Sequence, residues 1–381
     1  MTRTQRTILT ALSLVACALV GFAGYSVFRT YQTYAVRPLG PSVPQFTPLG
    51  LPATWTTTPG TPLSSIGAVT LAPTFPVTTT ITPAPICGGT GVMTVLAVGA
   101  DSRSDTYQYG LADVIRVVRV DFSYRRVTVL EFPRDLWVEI PYISDNINGQ
   151  DHEKLNQAYL YGQPGDGFKY WDDPSAGPGL LALTLNINFG VVADHYISVN
   201  MRTFVNVVNA VEGIDLNVPN ESIAQNTDLT IGMHHLNGDA ALKVARNRTE
   251  GGFARVDNQN LVLCALRKKL TSPKAVTQIP ELLTSFQDNI VTDLSPQQLS
   301  QLACLGTQLP PGSIKFASFP KELFTNSRIY DPVFQKTVFV YDVNFNTLRD
   351  YVARFHAGTW PDSTSTVTVN NDTDASEVVC E

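Results

Sequence analysis

The chain has 381 residues and a formal net charge of −6, which is enough sequence for one large domain or two ordinary ones. Hydrophobic residues make up 44% of it and charged residues 16%, so most of the chain is globular rather than disordered. The acidic balance argues against a nucleic-acid partner, because nucleic-acid binding needs a basic field over a whole face.

The first apolar segment is long enough to anchor the chain in a membrane. Residues 7–28 form an uncharged run, and a helix needs about 20 apolar residues to span a bilayer. The run is too long for the core of a simple signal peptide, and no clear cleavage site follows it. We therefore expect one uncleaved transmembrane helix within 1–30. The alternative is a lipoprotein, because Leu14–Cys17 resembles a lipidation box, although apolar sequence continues beyond Cys17.

A segment rich in Pro and Thr follows, and no Asp, Glu, Lys or Arg occurs from 38 to 100. Sequences such as TWTTTPGTP form extended, semi-rigid stalks that cannot bury a core. We predict a linker over 31–88, because such stalks usually lift an external domain away from a membrane. Basic residues flank the apolar run almost equally and help little with orientation. The linker therefore carries the prediction of a cell-membrane protein with a cytoplasmic N-terminus and an extracytoplasmic domain.

The domain predicted over 89–358 mixes strands and helices along its whole length. The run 92–101 is typical of a buried strand, and 113–135 predicts a hairpin that turns near 122–126. Helical periodicity and strand-like runs alternate after it, which predicts the α/β class with a central sheet covered by helices on both faces. A loose polar tail is expected over 359–381. The further helices are predicted at 153–161, 178–189, 202–212, 238–247, 254–270, 279–289 and 295–305, and the further strands at 195–199, 214–218, 313–318 and 336–340.

The five cysteines, Cys17, Cys87, Cys264, Cys304 and Cys380, show no metal-ligand spacing. Outside the apolar run, Cys264 can pair with Cys304, and Cys87 with Cys380, which would tie the two ends of the domain together. The alternative is that Cys264 and Cys304 are buried thiols on helices. The sequence leaves both possibilities open.

Charged residues follow or open the first two predicted strands of the domain. Asp101 and Arg103 come directly after 92–101, and α/β sheets bind ligands at the carboxyl ends of their strands. Asp113 opens the next strand, and two aspartates that flank one loop can converge on a hard cation such as Mg²⁺. The alternative is a turn capped by Asp101 and an ordinary acid at a strand end.

Arg134 follows Pro133 at the end of the predicted hairpin. Because proline restricts the backbone, we expect the arginine to project in a defined direction. The alternative is a surface salt bridge with Asp135.

A cluster of arginines stands in VARNRTEGGFARVDNQN, residues 244–260. The macrodipole of a helix favours cations at its C-terminal end, which explains Arg246 and Arg248 without a ligand. It does not explain Arg255 and Gln259, which share one face of the next predicted helix. A bound phosphate explains all four, because guanidinium groups bind phosphate oxygens through paired donors.

Taken in order, these stretches resemble the LytR–CpsA–Psr family of bacterial envelope proteins over roughly 90–350. The motifs that carry the resemblance are GADSR at 99–103, ADVI at 112–115, FPRDLWV at 132–138, KLNQAY at 154–159, GMHHLNGDAALKVARNR at 232–248 and FARVDNQ at 253–259.

The resemblance implies a central mixed sheet between helical layers, with an apolar tunnel that holds a polyprenyl phosphate or pyrophosphate. It implies a phosphotransferase that moves a glycopolymer from a polyprenyl-pyrophosphate carrier onto a peptidoglycan hydroxyl. It also implies Mg²⁺ (or Mn²⁺) at Asp101 and Asp113, which together with Arg134 would be the catalytic residues. The residues implied to bind the substrate pyrophosphate are Arg103, Arg134, Lys154, Arg246, Arg248, Arg255 and Gln259.

The chain departs from the family pattern at two places. Leu111 and Ala112 stand where the family commonly has Arg-Ser, and Asn258 stands where it often has Arg. Two cationic contacts are therefore missing. The alternative functions are a non-catalytic polyprenyl-phosphate-binding or regulatory protein, and a polyprenyl-pyrophosphate pyrophosphatase. The apolar run 179–192 is a candidate wall of the tunnel, with ordinary core as the alternative.

Overall fold

The computed structural model describes residues 3–47, 83–102, 110–147, 149–165, 170–247, 252–271, 290–361 and 377–379; for 4–16, 19, 252–253 and 377–379 it describes the backbone alone. Most of the predicted linker, the predicted helix at 279–289 and Cys380 lie outside these residues.

The chain begins with helix α1 (Arg3–Tyr31), which continues into a short π-helix at Gln32–Val36. In the part of the chain whose side chains are described, no helix is long and apolar enough to cross a membrane. After it, a stretch of the predicted linker lies against the domain. Val43 is 2% exposed and belongs to the main core, and the N–H of Leu39 donates to the carbonyl of Leu294 at 3.2 Å.

A mixed sheet, with seven strands among the described residues, forms the centre of the domain. The central sheet that the sequence predicts is therefore present. In spatial order the strands are β13 (Glu377–Val379), β10 (Ile314–Ser318), β3 (Arg126–Glu131), β2 (Ala112–Asp121), β1 (Val92–Ala100), β6 (His195–Asn200) and β9 (Ile290–Thr292). Strands β1, β2 and β3 pair antiparallel, whereas β6 runs parallel to β1 and β10 runs parallel to β3.

Three small antiparallel pairs lie beside this sheet. They are β4 (Trp137–Glu139) with β5 (His152–Lys154), β7 (Ile214–Val218) with β8 (Gly232–Leu236), and β11 (Thr325–Asp331) with β12 (Lys336–Asp342). The remaining described helices are α2 (Leu155–Gly162), α3 (Ala176–Phe189), α4 (Met201–Ala210), α5 (Glu221–Thr227), α6 (Gly238–Ala245), α7 (Gly252–Leu270), α8 (Pro296–Gln308) and α9 (Phe345–Ala357).

The helices cover both faces of the sheet because successive strand residues point to opposite sides. Leu96 and Val98 of β1 belong to the main core, which they share with residues of α2, α3 and α9. Met93 and Val95, at the alternate positions, pack instead with residues of α8. Helix α7 lies on this second face, where Leu263 contacts a small cluster from the sheet. The α/β architecture with helical layers is therefore confirmed.

The C-terminal segment differs from the loose tail that its composition predicts. Within it, Glu377–Val379 forms strand β13 and pairs antiparallel with β10 at the edge of the sheet. Trp360 also packs against the main core. Backbone pairing with an existing edge strand does not depend on apolar composition, so a polar sequence gives no warning of it.

The disulfide pairing suggested by the sequence is wrong. Cys87 bonds to Cys304, with a Cα–Cα distance of 5.9 Å, rather than to Cys380, and Cys264 is disulfide-bonded too but not to Cys304. Cys87 precedes β1 and Cys304 lies in helix α8, so the bond links the segment before β1 to that helix.

Candidate functional site

The loops that carry the predicted site residues meet at one edge of the sheet. Strand β2 runs antiparallel to β1 and β3, so the start of β2 lies beside the ends of the other two. Asp101 follows β1, Asp113 opens β2, and Arg134 follows β3. The strand topology therefore brings together three of the residues that the sequence identifies.

A β-bulge sets the positions of the two aspartates. Gly99 pairs with Val114, whereas Ala100 pairs with Ala112, which leaves Asp113 as the extra residue of β2. The N–H of Asp101 donates to the carbonyl of Leu111 at 2.8 Å and closes the turn. A Cβ atom at Gly99 would lie 2.9 Å from the Cβ of Val114, so glycine is needed for this close approach.

Arg134 is held between two carboxylates. Its Nη1 forms an ion pair with Asp113, and its Nε lies 3.3 Å from Oδ2 of Asp135. Burial lowers the pKa of Arg134, but the carboxylates of Asp113 and Asp135 outweigh burial and raise the pKa above its ordinary value. Arg134 therefore remains a cation at every physiological pH.

Lys154 reaches the same cluster from strand β5. Its Nζ lies 2.8 Å from Oδ1 of Asp135, so Asp135 links the two predicted cations. The backbone after Lys154 also supports Arg134, because the N–H of Asn156 donates to the carbonyl of Arg134 at 3.2 Å. The KLN stretch thus supplies one cation and fixes the loop that carries another.

Helices α6 and α7 complete the site. Arg246 is exposed at the C-terminal cap of α6. Arg255 in α7 is 7% exposed, and its Nη2 donates to the backbone carbonyl of Asp113 at 3.2 Å. Gln259 lies one turn further along α7 and is also buried. Arg103 and Arg248 lie outside the described residues.

Asn258 has a structural position in the fold. It is buried, and its Nδ2 donates to the backbone carbonyl of Asn247 at 3.4 Å. It thereby ties α7 to the segment that follows α6. The residue that stands in place of a family arginine fastens the two helices on which Arg246 and Arg255 lie.

A cavity of about 230 Å³ lies between the sheet and helices α4, α6 and α7. Polar residues, among them Asp113, Arg246 and Arg255, line part of it, and apolar side chains line most of the rest. The apolar lining includes Ala97, Ile197, Phe204, Leu242, Val262 and Leu263.

The apolar run at 179–192 does not line this cavity. It forms most of helix α3, and Leu180, Leu181 and Leu185 are fully buried in the main core on the other face of the sheet. In the structure these residues of the run pack as ordinary core. Hydrophobicity alone does not separate a tunnel wall from a packed core, since both bury apolar side chains.

The sequence does not indicate four polar residues of the site as ligand-binding residues. The sequence indicates Asp135 only as a salt-bridge partner of Arg134. Tyr341 lies far along the chain on β12, and its backbone N–H donates to the carbonyl of Asp135 at 3.1 Å. Arg116 stands inside the apolar strand β2 and Glu131 is the last residue of β3, and a charge in such an apolar run is the signal that the sequence offers. Two pockets share Arg255 in their lining. The first is also lined by Arg116, and the second by Glu131, Asp135 and Tyr341.

Arg116 and Glu131 form a buried ion pair across β2 and β3. Nη2 of Arg116 lies 2.6 Å from Oε2 of Glu131, at ion-pair distance although without the alignment of a hydrogen bond. The same nitrogen donates to Oε1 of Gln259 at 3.2 Å, and the guanidinium lies 5.5 Å from the ring centre of Phe316. Burial raises the pKa of Glu131 and outweighs the opposing effect of Arg116 and Arg255.

The two aspartates at the bulge have the donor chemistry for a hard divalent cation. Oδ1 of Asp101 is buried and has no hydrogen-bond partner in the described part of the chain. Asp113 already engages Arg134, and no group of three or more His, Cys, Asp or Glu side chains suited to a metal occurs among the described residues. Because Mg²⁺ often takes one or two carboxylates together with substrate phosphates, the pair fits a cation that is shared with a phosphate ligand.

Comparison with known proteins places this site in context. The chain matches the model of the LytR_cpsA_psr family over residues 78–348. It is 31% identical over 214 residues to the polyisoprenyl-teichoic acid–peptidoglycan teichoic acid transferase TagU of Enterococcus faecalis. The aligned residues cover 55% of this chain and 64% of that protein. The regulatory protein MsrR of Staphylococcus aureus is 27% identical over 217 residues, which cover 55% of this chain and 59% of that protein. The match therefore spans less than two thirds of each of these relatives.

A solved structure has the same fold. It is the LytR-CPS2A-psr family protein YwtF (TagT) of Bacillus subtilis with bound octaprenyl pyrophosphate lipid. The TM-score is 0.50 at 20% sequence identity, and the alignment covers 71% of this chain and 90% of that one.

Proposed function

Since the chain belongs to the LytR_cpsA_psr family, we propose that it transfers a glycopolymer from a polyprenyl-pyrophosphate carrier onto a peptidoglycan hydroxyl during cell-wall biogenesis. One observation carries this proposal. A single cavity combines apolar walls with the polar groups of Asp113, Arg246 and Arg255. An apolar chain and an anionic head group therefore find their complements in the same place.

The lipid chain of the carrier is assigned to the apolar part of the cavity. Phe204, Leu242 and Val262 face it from three different helices, and Ala97 and Ile197 form its floor on the sheet. Such walls bind a polyprenyl chain by removing its surface from water, at about 25 cal/mol per Å² of apolar surface. The teichoic acid transferase TagU and the octaprenyl pyrophosphate complex among the relatives support this choice of carrier.

The pyrophosphate is assigned to the cationic cluster at the edge of the sheet. Arg134 and Lys154 share Asp135, and Arg255 is fixed by the carbonyl of Asp113. Because these side chains are already held by carboxylates and backbone, little conformational entropy is lost when they meet the anion. The proposed pyrophosphate-binding set also includes four residues that are assigned from their sequence motifs: Arg103, Arg246, Arg248 and Gln259.

The proposed reaction is phosphoryl-type transfer. The acceptor hydroxyl forms an O–P bond to the sugar-proximal phosphorus, and the P–O bond to the bridging oxygen breaks. Polyprenyl phosphate leaves with the electron pair, and the hydroxyl proton passes to the phosphate or to solvent. Such transfer depends mainly on positioning and on neutralising charge, which is what Arg134 and Arg255 supply.

Asp101 and Asp113 are proposed to bind Mg²⁺ or Mn²⁺ together with the substrate. A bound divalent cation supplies charge neutralisation to the phosphate oxygens. The buried, unpartnered oxygen of Asp101 supports this assignment. Before the cation binds, Asp113 forms the ion pair with Arg134, and this contact keeps its carboxylate oriented toward the site.

The proposed location is the cell membrane, with the N-terminus in the cytoplasm and the domain outside. The apolar composition of 7–28 and the helix at Arg3–Tyr31 support an anchor of one pass. The disulfide between Cys87 and Cys304 supports an extracytoplasmic domain, because disulfides persist in oxidising compartments. Extraction of bacterial membranes with alkaline carbonate tests the anchor: the full chain should stay with the membrane, and a chain that begins after residue 37 should not.

A second candidate is a non-catalytic, regulatory lipid-binding protein, which the name of the MsrR relative favours. A third outcome is hydrolysis of the carrier without transfer. One experiment separates the three. The full chain in detergent is given Mg²⁺ and a polyprenyl-pyrophosphate-linked oligosaccharide, with and without peptidoglycan. Transfer predicts oligosaccharide on peptidoglycan together with polyprenyl phosphate; hydrolysis predicts equal release of polyprenyl phosphate without acceptor, and the regulatory function predicts no release.

A further inference from the structure

Arg116 is a buried cation in the wall of the cavity, with donors that the site described above does not use. The residue is 3% exposed and lines the cavity. Its Nη2 makes both of its polar contacts, with Glu131 and Gln259. Nε and Nη1 have no hydrogen-bond partner in the described part of the chain.

Such donors are costly to bury without an acceptor. A buried polar group that lacks its hydrogen bond loses about 1–3 kcal/mol, and a charged group loses more. Arg116 pairs across the sheet with Ala97, and Ile197 and Leu263 also line the cavity around it. An ordered water needs two to four polar partners; these neighbours offer it none, and Gln259, the polar side chain of the lining that contacts Arg116, already accepts from Nη2. A ligand with acceptor oxygens satisfies the guanidinium better.

The charges around Arg116 favour an anion. At this cavity Arg116, Arg246 and Arg255 contribute three positive charges, and Asp113 and the ion-paired Glu131 contribute two negative charges, which leaves a net charge of +1. Most of the remaining wall is apolar, so a free inorganic anion would match only part of the cavity. An anion attached to an apolar chain matches all of it.

The position of Arg116 along the cavity indicates which phosphate it meets. Asp113 and Arg116 are three residues apart on β2, about 10 Å along a strand. Gln259, which accepts from Arg116, lies one turn of α7 beyond Arg255, about 6 Å along the helix. Arg116 and Gln259 therefore lie deeper, toward the apolar end, than Asp113 and Arg255.

We propose that Arg116 binds the phosphate that remains attached to the polyprenyl chain. The inference rests on the proposed function and extends it by separating the two phosphates of the carrier. The cations at the sheet edge hold the phosphate that is transferred, and Arg116 with Gln259 holds the one that leaves with the lipid. After the transfer, the protein then retains polyprenyl monophosphate as the bound product.

Native mass spectrometry of the full chain in detergent tests this, with geranylgeranyl monophosphate and geranylgeraniol as probes. The variant combines Arg116→Met with Glu131→Gln, so that no carboxylate is left buried without its partner. Its affinity for the monophosphate is expected to fall about 10- to 100-fold, which corresponds to the loss of charge-assisted hydrogen bonds to a phosphate. Its affinity for geranylgeraniol is expected to stay within about twofold, because the apolar walls are intact.

Arg119 and Asp121 provide a matched control. They form a buried ion pair on the same strand, at 3.2 Å, outside the cavity lining. Arg119→Met combined with Asp121→Asn should leave both affinities unchanged. If the Arg116 double variant fails to fold, Arg116→Lys keeps the charge opposite Glu131 and removes the guanidinium fork; its monophosphate affinity should fall about tenfold.

The outcomes are distinguishable. Unchanged monophosphate affinity in the Arg116 variants overturns the inference and leaves the proposed function standing. Equal losses for both probes also overturn it, because Arg116 would then only shape the cavity. If the wild-type chain binds neither probe, the inference and the proposed function fail together.

Discussion

Arg134 and Asp113, which are 21 positions apart in the chain, meet as an ion pair at the edge of the sheet. The pair joins the loop after β3 to the bulge at the start of β2, and Asp135 holds the same guanidinium from its other side. The arginine is therefore fixed before any ligand arrives. Removal of Arg134 should damage function far more than folding.

Arg134→Ala is expected to lower kcat/KM for glycopolymer transfer at least about 100-fold, because a pre-positioned cation that meets developing phosphate charge contributes several kcal/mol. The transfer assay with peptidoglycan as acceptor measures this. Arg328→Ala, at an exposed position on β11, is the control and should retain activity. Full activity of Arg134→Ala would contradict its place in the site.

A larger side chain in the cavity should displace lipid. Ala245 is the last residue of α6 and lines the cavity, so Ala245→Phe places a ring where the polyprenyl chain is proposed to lie. We expect the variant to copurify with much less polyprenyl lipid than the wild type, as measured by mass spectrometry of extracted lipids. Ala210→Phe, at the exposed last residue of α4, is the matched control. Equal lipid content in both variants would place the lipid elsewhere.

Glu153 and Asp331 form a buried pair of carboxyl groups. Glu153 is 0% and Asp331 is 1% exposed, and Oε1 of Glu153 and Oδ2 of Asp331 have no donor in the described part of the chain. Burial and the carboxylate of Asp331 raise the pKa of Glu153 to about 8. Glu153 therefore keeps its proton near neutral pH.

This raised pKa makes the stability of the fold depend on pH. The contribution of protonated Glu153 is fully present below its unfolded pKa of 4.5 and is lost as the pH rises through about 8. Glu153→Gln donates to Asp331 at every pH, so the free energy of unfolding should rise relative to wild type between pH 5 and pH 9. Guanidinium unfolding at both pH values measures it. Glu139→Gln, at an exposed position on the neighbouring strand β4, should show the same pH dependence as the wild type. If Glu153→Gln also shows that dependence, the raised pKa of Glu153 is contradicted.

The disulfide pairing is open to a direct check. Peptide mapping of the unreduced chain should recover a cross-linked peptide that contains Cys87 and Cys304. Loss of this bond through Cys304→Ser is expected to cost about 2–4 kcal/mol of stability. Recovery of a Cys264–Cys304 peptide in place of it would contradict the structure.

The sequence predicts the sheet and much of the site because the relevant signals are local. A β-branched run indicates β1, and the turn near 122–126 is recovered between β2 and β3. Asp101, Asp113 and Arg134 stand at strand ends, where a ligand site is expected in an α/β fold. The arginine cluster is likewise visible as an excess of charge in an otherwise acidic chain.

The remaining features depend on long-range contacts. Tyr341 reaches Asp135 from a hairpin some 200 positions away, and the sheet edge recruits Glu377–Val379 without any apolar signal. Arg116 faces the cavity because of its register on β2, where it is paired with Ala97. A shift of one residue would have turned it to the other face, and the sequence alone does not decide which face carries the ligand.

The most direct test of the account is an electron-density map of the full chain bound to a polyprenyl pyrophosphate. The account predicts the two phosphates at Arg134, Arg255 and Arg116, and the lipid chain between the sheet and helices α4, α6 and α7. It is contradicted if the lipid lies on the α3 face of the sheet, or if the cavity next to Ala97 and Val262 stays closed while the ligand binds elsewhere.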